Sequence, residues 1–156
     1  MLSRVITFGC NDDGQLGRGD HVHKNTGEDD SIQECNLPKA ISFLDTCFII
    51  SVSCGSRHTL ALSSKGDLYS WGWGKMGQLG HGNDTTLSNP TQIKALTDIA
   101  FISSGGCHSA AISTTGRLVR HDILFYFEFI VIDIINIVYV GRIHLGAVGC
   151  TCRHCL

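Results

Sequence analysis

The sequence predicts an all-β fold, an incomplete β-propeller whose blades recur along the chain, and three observations carry that prediction. Short apolar alternations of period two flank polar turns that contain a glycine, which is the pattern of antiparallel hairpins. The clearest pair is His58-Thr59-Leu60-Ala61-Leu62 and Asp67-Leu68-Tyr69-Ser70-Trp71, joined by Ser63-Ser64-Lys65-Gly66. Glycines then crowd positions 72, 74, 77, 80 and 82, a density that no helix tolerates and that tight backbone turns require. Both features also recur. Gly105-Gly106-Cys107-His108-Ser109-Ala110-Ala111-Ile112 and the following Gly116-Arg117-Leu118 repeat residues 55–68 at an offset of 50. Phe8-Gly9 and Gly14-Gln15-Leu16-Gly17 repeat Trp71-Gly72 and Gly77-Gln78-Leu79-Gly80 at an offset of 63. A repeat of about this length, made of strands and Gly-rich turns, reads as one propeller blade.

Taken in order, the chain starts inside a repeat. Residues 5–9 align with residues 68–72 and read as the last strand of a blade, followed by a turn at Asn11-Asp12-Asp13-Gly14 whose Asn and Asp side chains can bond their own backbone. Residues 18–36 absorb the extra length of this copy and are polar, with Glu28, Asp29 and Asp30 as candidate partner contacts, because long loops on a rigid scaffold are where contacts concentrate. Residues 41–52, with Phe43, Phe48, Ile49 and Ile50, are rich in strand formers and lead into the central blade. The hairpin follows, then a polar loop at 83–88 and Pro90. Residues 99–103 open the next blade, and residues 108–112 repeat the hairpin's first strand.

The repeat then stops. Trp71-Gly72 should recur at 121 and 122, where His121-Asp122 stand instead. Residues 123–140 are strongly apolar and β-branched, interrupted by Glu128, Asp133 and Asn136. The two acids argue against a membrane span, and no turn signal divides the run into a strand pair. The break falls in mid-strand, as a truncated or read-through end of a reading frame would leave it. The organisation is therefore read as repeats over residues 1–120 and a non-repeat, Cys-ending tail over residues 121–156.

The motif G-x-x-H-[ST]-x-A-[LI], then a strand ending in Trp-Gly, then G-Q-L-G-x-G resembles the repeat of the regulator of chromosome condensation family. With Pro90 and Ile93 the resemblance covers roughly residues 5–118, about two repeats. It implies a propeller ring of seven blades, more than 156 residues can supply. It also implies one of three functions: nucleotide exchange on the small GTPase Ran at chromatin, a binding module in ubiquitin ligases and other regulators, or ultraviolet sensing through clustered tryptophans. With Trp71 and Trp73 alone, the last is disfavoured. The exchange surface of the family is assembled from several blades, so the expectation is a protein-interaction module without a catalytic site. Guanine-nucleotide exchange on a Ran-like GTPase is the runner-up, and a membrane-anchored short form ranks third. The expected partner is a protein, a small GTPase or a ubiquitin-pathway component.

Bulk properties exclude several classes. The net charge is −2 and the 12 Lys and Arg are scattered, so no basic stripe points to nucleic acid. Eight cysteines without framework spacing, and no signal peptide at the start, imply reduced thiols and an intracellular setting, cytoplasmic or nuclear.

Candidate chemistry reduces to the repeat. Gly72-Trp73-Gly74-Lys75-Met76-Gly77 fits the dinucleotide fingerprint, but the motif needs a helix after it, and Gln78-Leu79-Gly80-His81-Gly82 cannot start one. Cys150, Cys152, His154 and Cys155 could in principle hold zinc, though without a second knuckle. No Ser-His-Asp set, carboxylate pair or phosphate loop stands out, and no cofactor or metal is expected. His58 and His108 share a repeat position, which favours a structural role, an imidazole bonding backbone in a neighbouring turn. Trp71 and Phe8 read as blade core. The repeat-structural set is thus Gly9, Gly14, Gly17, Gly55, His58, Gly66, Trp71, Gly72, Gly77, Gly80, Gly105, His108 and Gly116. Trp73 has Cys10 at its repeat position and reads as a surface contact.

Overall fold

The computed structural model describes residues 4–19, 36–121 and 130–133. Its strands form three antiparallel sheets in chain order. β1 (Ile6–Thr7) pairs with β2 (Lys39–Ala40). A four-stranded meander follows, made of β3 (Ile49–Cys54), β4 (His58–Ser63), β5 (Leu68–Gly72) and β6 (Leu87–Gln92). A second meander has β7 (Ile99–Ser104), β8 (Ser109–Ser113), β9 (Arg117–His121) and β10 (Ile130–Asp133). Each four-stranded meander is one propeller blade, and β1–β2 correspond to the last two strands of a preceding one.

The hairpin read from the sequence forms as expected. Leu62 faces Leu68 and Thr59 faces Trp71 across β4–β5, and the turn between them closes with Gly66 at φ +82°. The second copy reproduces this at Gly116, also at +82°. Even the irregularities repeat: β3–β4 slips between Ile49 and Ser51, and β7–β8 slips between Ile99 and Phe101. One repeat sequence therefore encodes one backbone, bulge included.

Two apolar seams hold the sheets together. In the first, Val5, Ile41 and Leu44 pack with Ile49, Ala61 and Trp71. In the second, Leu60, Leu62, Leu68 and Ile93 pack with Ile99 and Ala111. Repeat positions explain the likeness: Val5, Ile41, Ile49 and Ala61 hold in one seam the places of Leu68, Ile93, Ile99 and Ala111 in the other. β4 is buried along its whole length because it serves both seams, one from each face.

Residues 41–52 lead into the central blade through a turn: Ser42–Leu44 is 3₁₀, and β3 begins at Ile49. That tight turn lets Ile41 and Leu44, three residues apart, both enter the first seam. The reading of Phe8 as blade core needs correction. Trp71 is fully buried, whereas Phe8 at the same repeat position is 65% exposed, because no sheet among the described residues covers that side of β1. At the other end, the sequence break at His121 is not a break in pairing. β9 runs through His121, and Ile130–Asp133, inside the apolar run, pairs antiparallel with it. The rest of that run, the terminal cysteines and the loop bearing Glu28, Asp29 and Asp30 lie outside the described residues. Among those described, no helix is long and apolar enough to cross a membrane.

Candidate functional site

The Gly-Gln-Leu-Gly loops build the ground on which every other group stands. In the first, Gly14 N donates to Asn11 O at 3.1 Å and Gly17 N to Gly14 O at 3.0 Å. In the second, Gly77 N donates to Gly74 O at 2.8 Å and Gly80 N to Gly77 O at 2.9 Å. All four glycines that close these turns have φ between +70° and +76°, the left-handed region where side chains are strained. Gly17 is constrained twice, since a Cβ there would stand 2.7 Å from Trp71 Nε1. The loops are turns throughout, with no helix after Gly77, so the fingerprint at 72–77 has no helix N-terminus to offer a pyrophosphate.

Each glutamine does two jobs in its loop. Its side-chain oxygen accepts from the backbone two residues earlier, Asp13 N to Gln15 Oε1 at 2.9 Å and Met76 N to Gln78 Oε1 at 3.0 Å. Its main-chain carbonyl accepts from the next blade. Thr59 Oγ1 donates to Gln15 O at 3.0 Å, and Ser109 Oγ donates to Gln78 O at 2.8 Å. Trp71 Nε1 adds a second donor to Gln15 O at 2.8 Å. The hydroxyl after each repeat histidine is therefore a staple between blades.

His58 extends the staple. Its Nε2 lies 2.9 Å from Ser109 Oγ, and since that hydroxyl gives its proton to Gln78 O, the imidazole is the donor. His58 thus bonds a side chain of the next blade, where the sequence suggested backbone. Its Nδ1 makes no hydrogen bond and is buried. Burial, and then the charge of nearby His108, lower its pKa to about 4, against a smaller opposing pull from the His108 backbone. His108 itself is exposed, because no further blade covers it among the described residues. Gly55 and Gly105 lack the left-handed φ of the other repeat glycines; they are small for room. A Cβ on Gly55 would stand 2.2 Å from His58 Cε1 and 2.6 Å from Gly105 O, and one on Gly105 would stand 2.1 Å from His108 Cε1.

What remains for contact lies at one corner of the loop face. Arg57 Nε bonds Asp13 Oδ2 at 2.6 Å, and its guanidinium sits 5.1 Å over the Trp73 ring. Trp73 N in turn donates to Arg57 O at 2.8 Å, so the ring and the cation are fixed by one strand end. Arg57 keeps 42% of its side-chain surface exposed, Asp13 only 12%. Trp73, read from the sequence as a surface contact, is therefore partly exposed and capped by a cation. Lys75 stands exposed beside it. Neither Arg57 nor Asp13 was singled out by sequence; Arg57 occupies a variable position of the repeat, where Cys107 stands in the next copy. Chemically this cluster can stack and ion-pair, which suits recognition. Among the described residues no three His, Cys, Asp or Glu side chains gather as metal ligands, and Cys10, Cys47, Cys54 and Cys107 form no disulfide.

Comparisons with known proteins agree with this architecture. The sequence model of the regulator of chromosome condensation (RCC1) repeat matches residues 3–62 and 65–112. The chain is 40% identical over 117 residues to the ultraviolet-B receptor UVR8 of Arabidopsis thaliana, a match covering 73% of this chain and 24% of that protein. It is 39% identical over 93 residues to the E3 ubiquitin-protein ligase HERC2 of Homo sapiens, covering 60% of this chain and 2% of that one. Among solved structures, Prp20p of Saccharomyces cerevisiae, studied for its binding to Gsp1p and histones, superposes with a TM-score of 0.62 at 26% identity, over 76% of this chain and 28% of that one. Human WBSCR16 superposes with a TM-score of 0.61 at 28% identity, over 74% and 28% of the respective chains. The chain spans about a quarter or less of the length of these relatives. Repeat sequence, blade register and structural likeness coincide: the chain belongs to the regulator of chromosome condensation (RCC1) repeat family.

Proposed function

We propose that this chain is a protein-interaction module, an RCC1-repeat fragment that recognises a protein partner and has no catalytic chemistry of its own. One observation carries the reading: the polar groups of the repeat are spent on stapling blades together, while Arg57, held by buried Asp13, presents a preorganised cation over the partly exposed Trp73 ring. Tryptophan and arginine are the residue types most enriched at interface hot spots, and a cation held over a ring loses little entropy on binding. Likeness to HERC2 and to Prp20p supports a partner from the ubiquitin pathway or a small GTPase. Guanine-nucleotide exchange on a Ran-like GTPase is the competing reading.

Two measurements test it together. Proximity labelling with the intact chain and its Trp73→Ala and Arg57→Ala variants should show one set of proteins lost from both variants at equal expression. Nucleotide release from Ran-like GTPases should proceed at the intrinsic rate with micromolar chain present. Unchanged labelling sets would remove the interaction face, and accelerated release would replace the module reading with exchange activity.

A further inference from the structure

The loop-face corner proposed as the interaction face presents side-chain donors and shields its one acceptor. Arg57 commits Nε to Asp13 Oδ2 at 2.6 Å, and its two terminal nitrogens bond nothing among the described residues. Trp73 is partly exposed, and its ring nitrogen also bonds nothing there, whereas the same atom of Trp71 donates internally to Gln15 O. Lys75, two residues on, is exposed and forms no ion pair among the described residues. The Asp13 carboxylate is only 12% exposed and already engaged. Guanidinium, indole N–H and ammonium groups donate and cannot accept. A ligand must therefore bring acceptors, and the two cations favour acceptors that carry negative charge.

None of the three donors recurs. Cys107 holds the place of Arg57 in the next blade, and Cys10 and Asp12 hold those of Trp73 and Lys75 in the preceding one. The residues that build the blades repeat, whereas these vary on the same backbone, which is where a shared scaffold carries its specificity. The positive charge is also local. Asp13 lies under the guanidinium, and Asp12 beside it is exposed. A nucleic-acid backbone gains affinity from a run of cations and would meet Asp12 instead, so a patch this small suits carboxylates. We infer that this interaction face recognises an acidic peptide segment of a partner protein. Because Asp13 occupies the Nε edge of Arg57, one Asp or Glu of the segment takes the free edge between the two terminal nitrogens as a bidentate pair. A second carboxylate serves Lys75, and the Trp73 ring supplies an apolar wall with one N–H donor.

The test pans a library of random short peptides against the full chain, with the Trp73→Ala chain as counter-selection. Sequences with paired Asp or Glu should be enriched. By fluorescence anisotropy the most enriched peptide should bind about ten-fold tighter than its Asn/Gln counterpart, and only the acidic form should weaken as salt rises. Lys75→Glu, at an exposed position, should weaken that peptide about ten-fold and leave the thermal midpoint unchanged, while Lys75→Arg should keep the affinity. Enrichment of sequences without acidic residues, no enrichment, or equal binding of the Asn/Gln counterpart would overturn the proposal. So would a single-stranded oligonucleotide that displaces the peptide more effectively than the free peptide does, which would make phosphate the ligand. The interaction face itself fails on a different result, unchanged proximity labelling in Trp73→Ala and Arg57→Ala. A neutral peptide consensus with labelling still lost would remove the acidic partner and keep the face.

Discussion

His58 Nε2 lies 2.9 Å from Ser109 Oγ, and the two residues sit on successive blades at adjacent repeat positions. The hydroxyl passes its own proton to Gln78 O, so a three-member chain crosses the seam with every proton assigned. A neutral imidazole satisfies this arrangement. A protonated one would place a charge on buried Nδ1, which makes no hydrogen bond.

Acid should therefore loosen the seam. The folded His58 pKa is lowered to about 4 from 6.5, so between those values the unfolded chain binds a proton that the folded chain refuses. Its contribution is fully present above pH 6.5 and is lost as the pH falls toward 4, amounting to at most about 3 kcal/mol. The neighbour to watch is His108, whose charge adds to the effect. Thermal midpoints measured from pH 7.5 to 4 should fall more steeply for the wild type than for His58→Gln, which cannot titrate. Parallel slopes would refute the assignment.

Gly55 should not tolerate a methyl group. The added Cβ would stand 2.2 Å from His58 Cε1 and 2.6 Å from the Gly105 carbonyl, and the carbonyl belongs to the next blade's backbone and cannot rotate away. Gly55→Ala should cost on the order of 2–3 kcal/mol, as overpacking of a filled site does. Gly82→Ala meets nothing within 4 Å and carries only the strain of its φ of +73°, about 1 kcal/mol. Urea denaturation of both variants gives the comparison, and equal costs would mean that the His58 ring has room to move.

Much of this was legible in the sequence, and the limits are physical. Period-two runs and turn glycines are local signals, so the hairpin of β4 and β5 and its copy could be placed without a structure. The staple of Thr59 on Gln15 and Ser109 on Gln78 was half visible, since both partners recur in each repeat, but its direction across blades depends on packing. Arg57 and Asp13 were not visible, because their 44-residue separation is closed only by the seam. Phe8 misled for the same reason: a repeat position specifies which way a side chain points, whereas burial depends on whether a neighbouring sheet is there.

That distinction can be measured by truncating the same repeat position twice. Trp71 is fully buried among Val5, Ile41, Leu44, Ile49 and Ala61, and its ring nitrogen bonds Gln15 O. Trp71→Ala should cost about 3–5 kcal/mol and abolish a cooperative transition in a chain this size. Phe8→Ala should cost less than about 1 kcal/mol, since most of its ring is already in water.

The Arg57–Asp13 pair separates stability from recognition. The bond is short, but the cation is 42% exposed, and half-exposed ion pairs contribute about 0–1 kcal/mol because solvent screens them and the long side chain must be ordered. Asp13→Asn should therefore shift the urea midpoint little. Without the carboxylate, however, the guanidinium is no longer held over Trp73, and the cluster loses its preorganisation. A partner that reads the cluster as a unit should lose affinity in Asp13→Asn and Trp73→Ala alike, and the double variant should lose no more than the larger single loss. Titration of all three variants against the partner recovered by proximity labelling measures this. Additive losses would show that the two residues act separately.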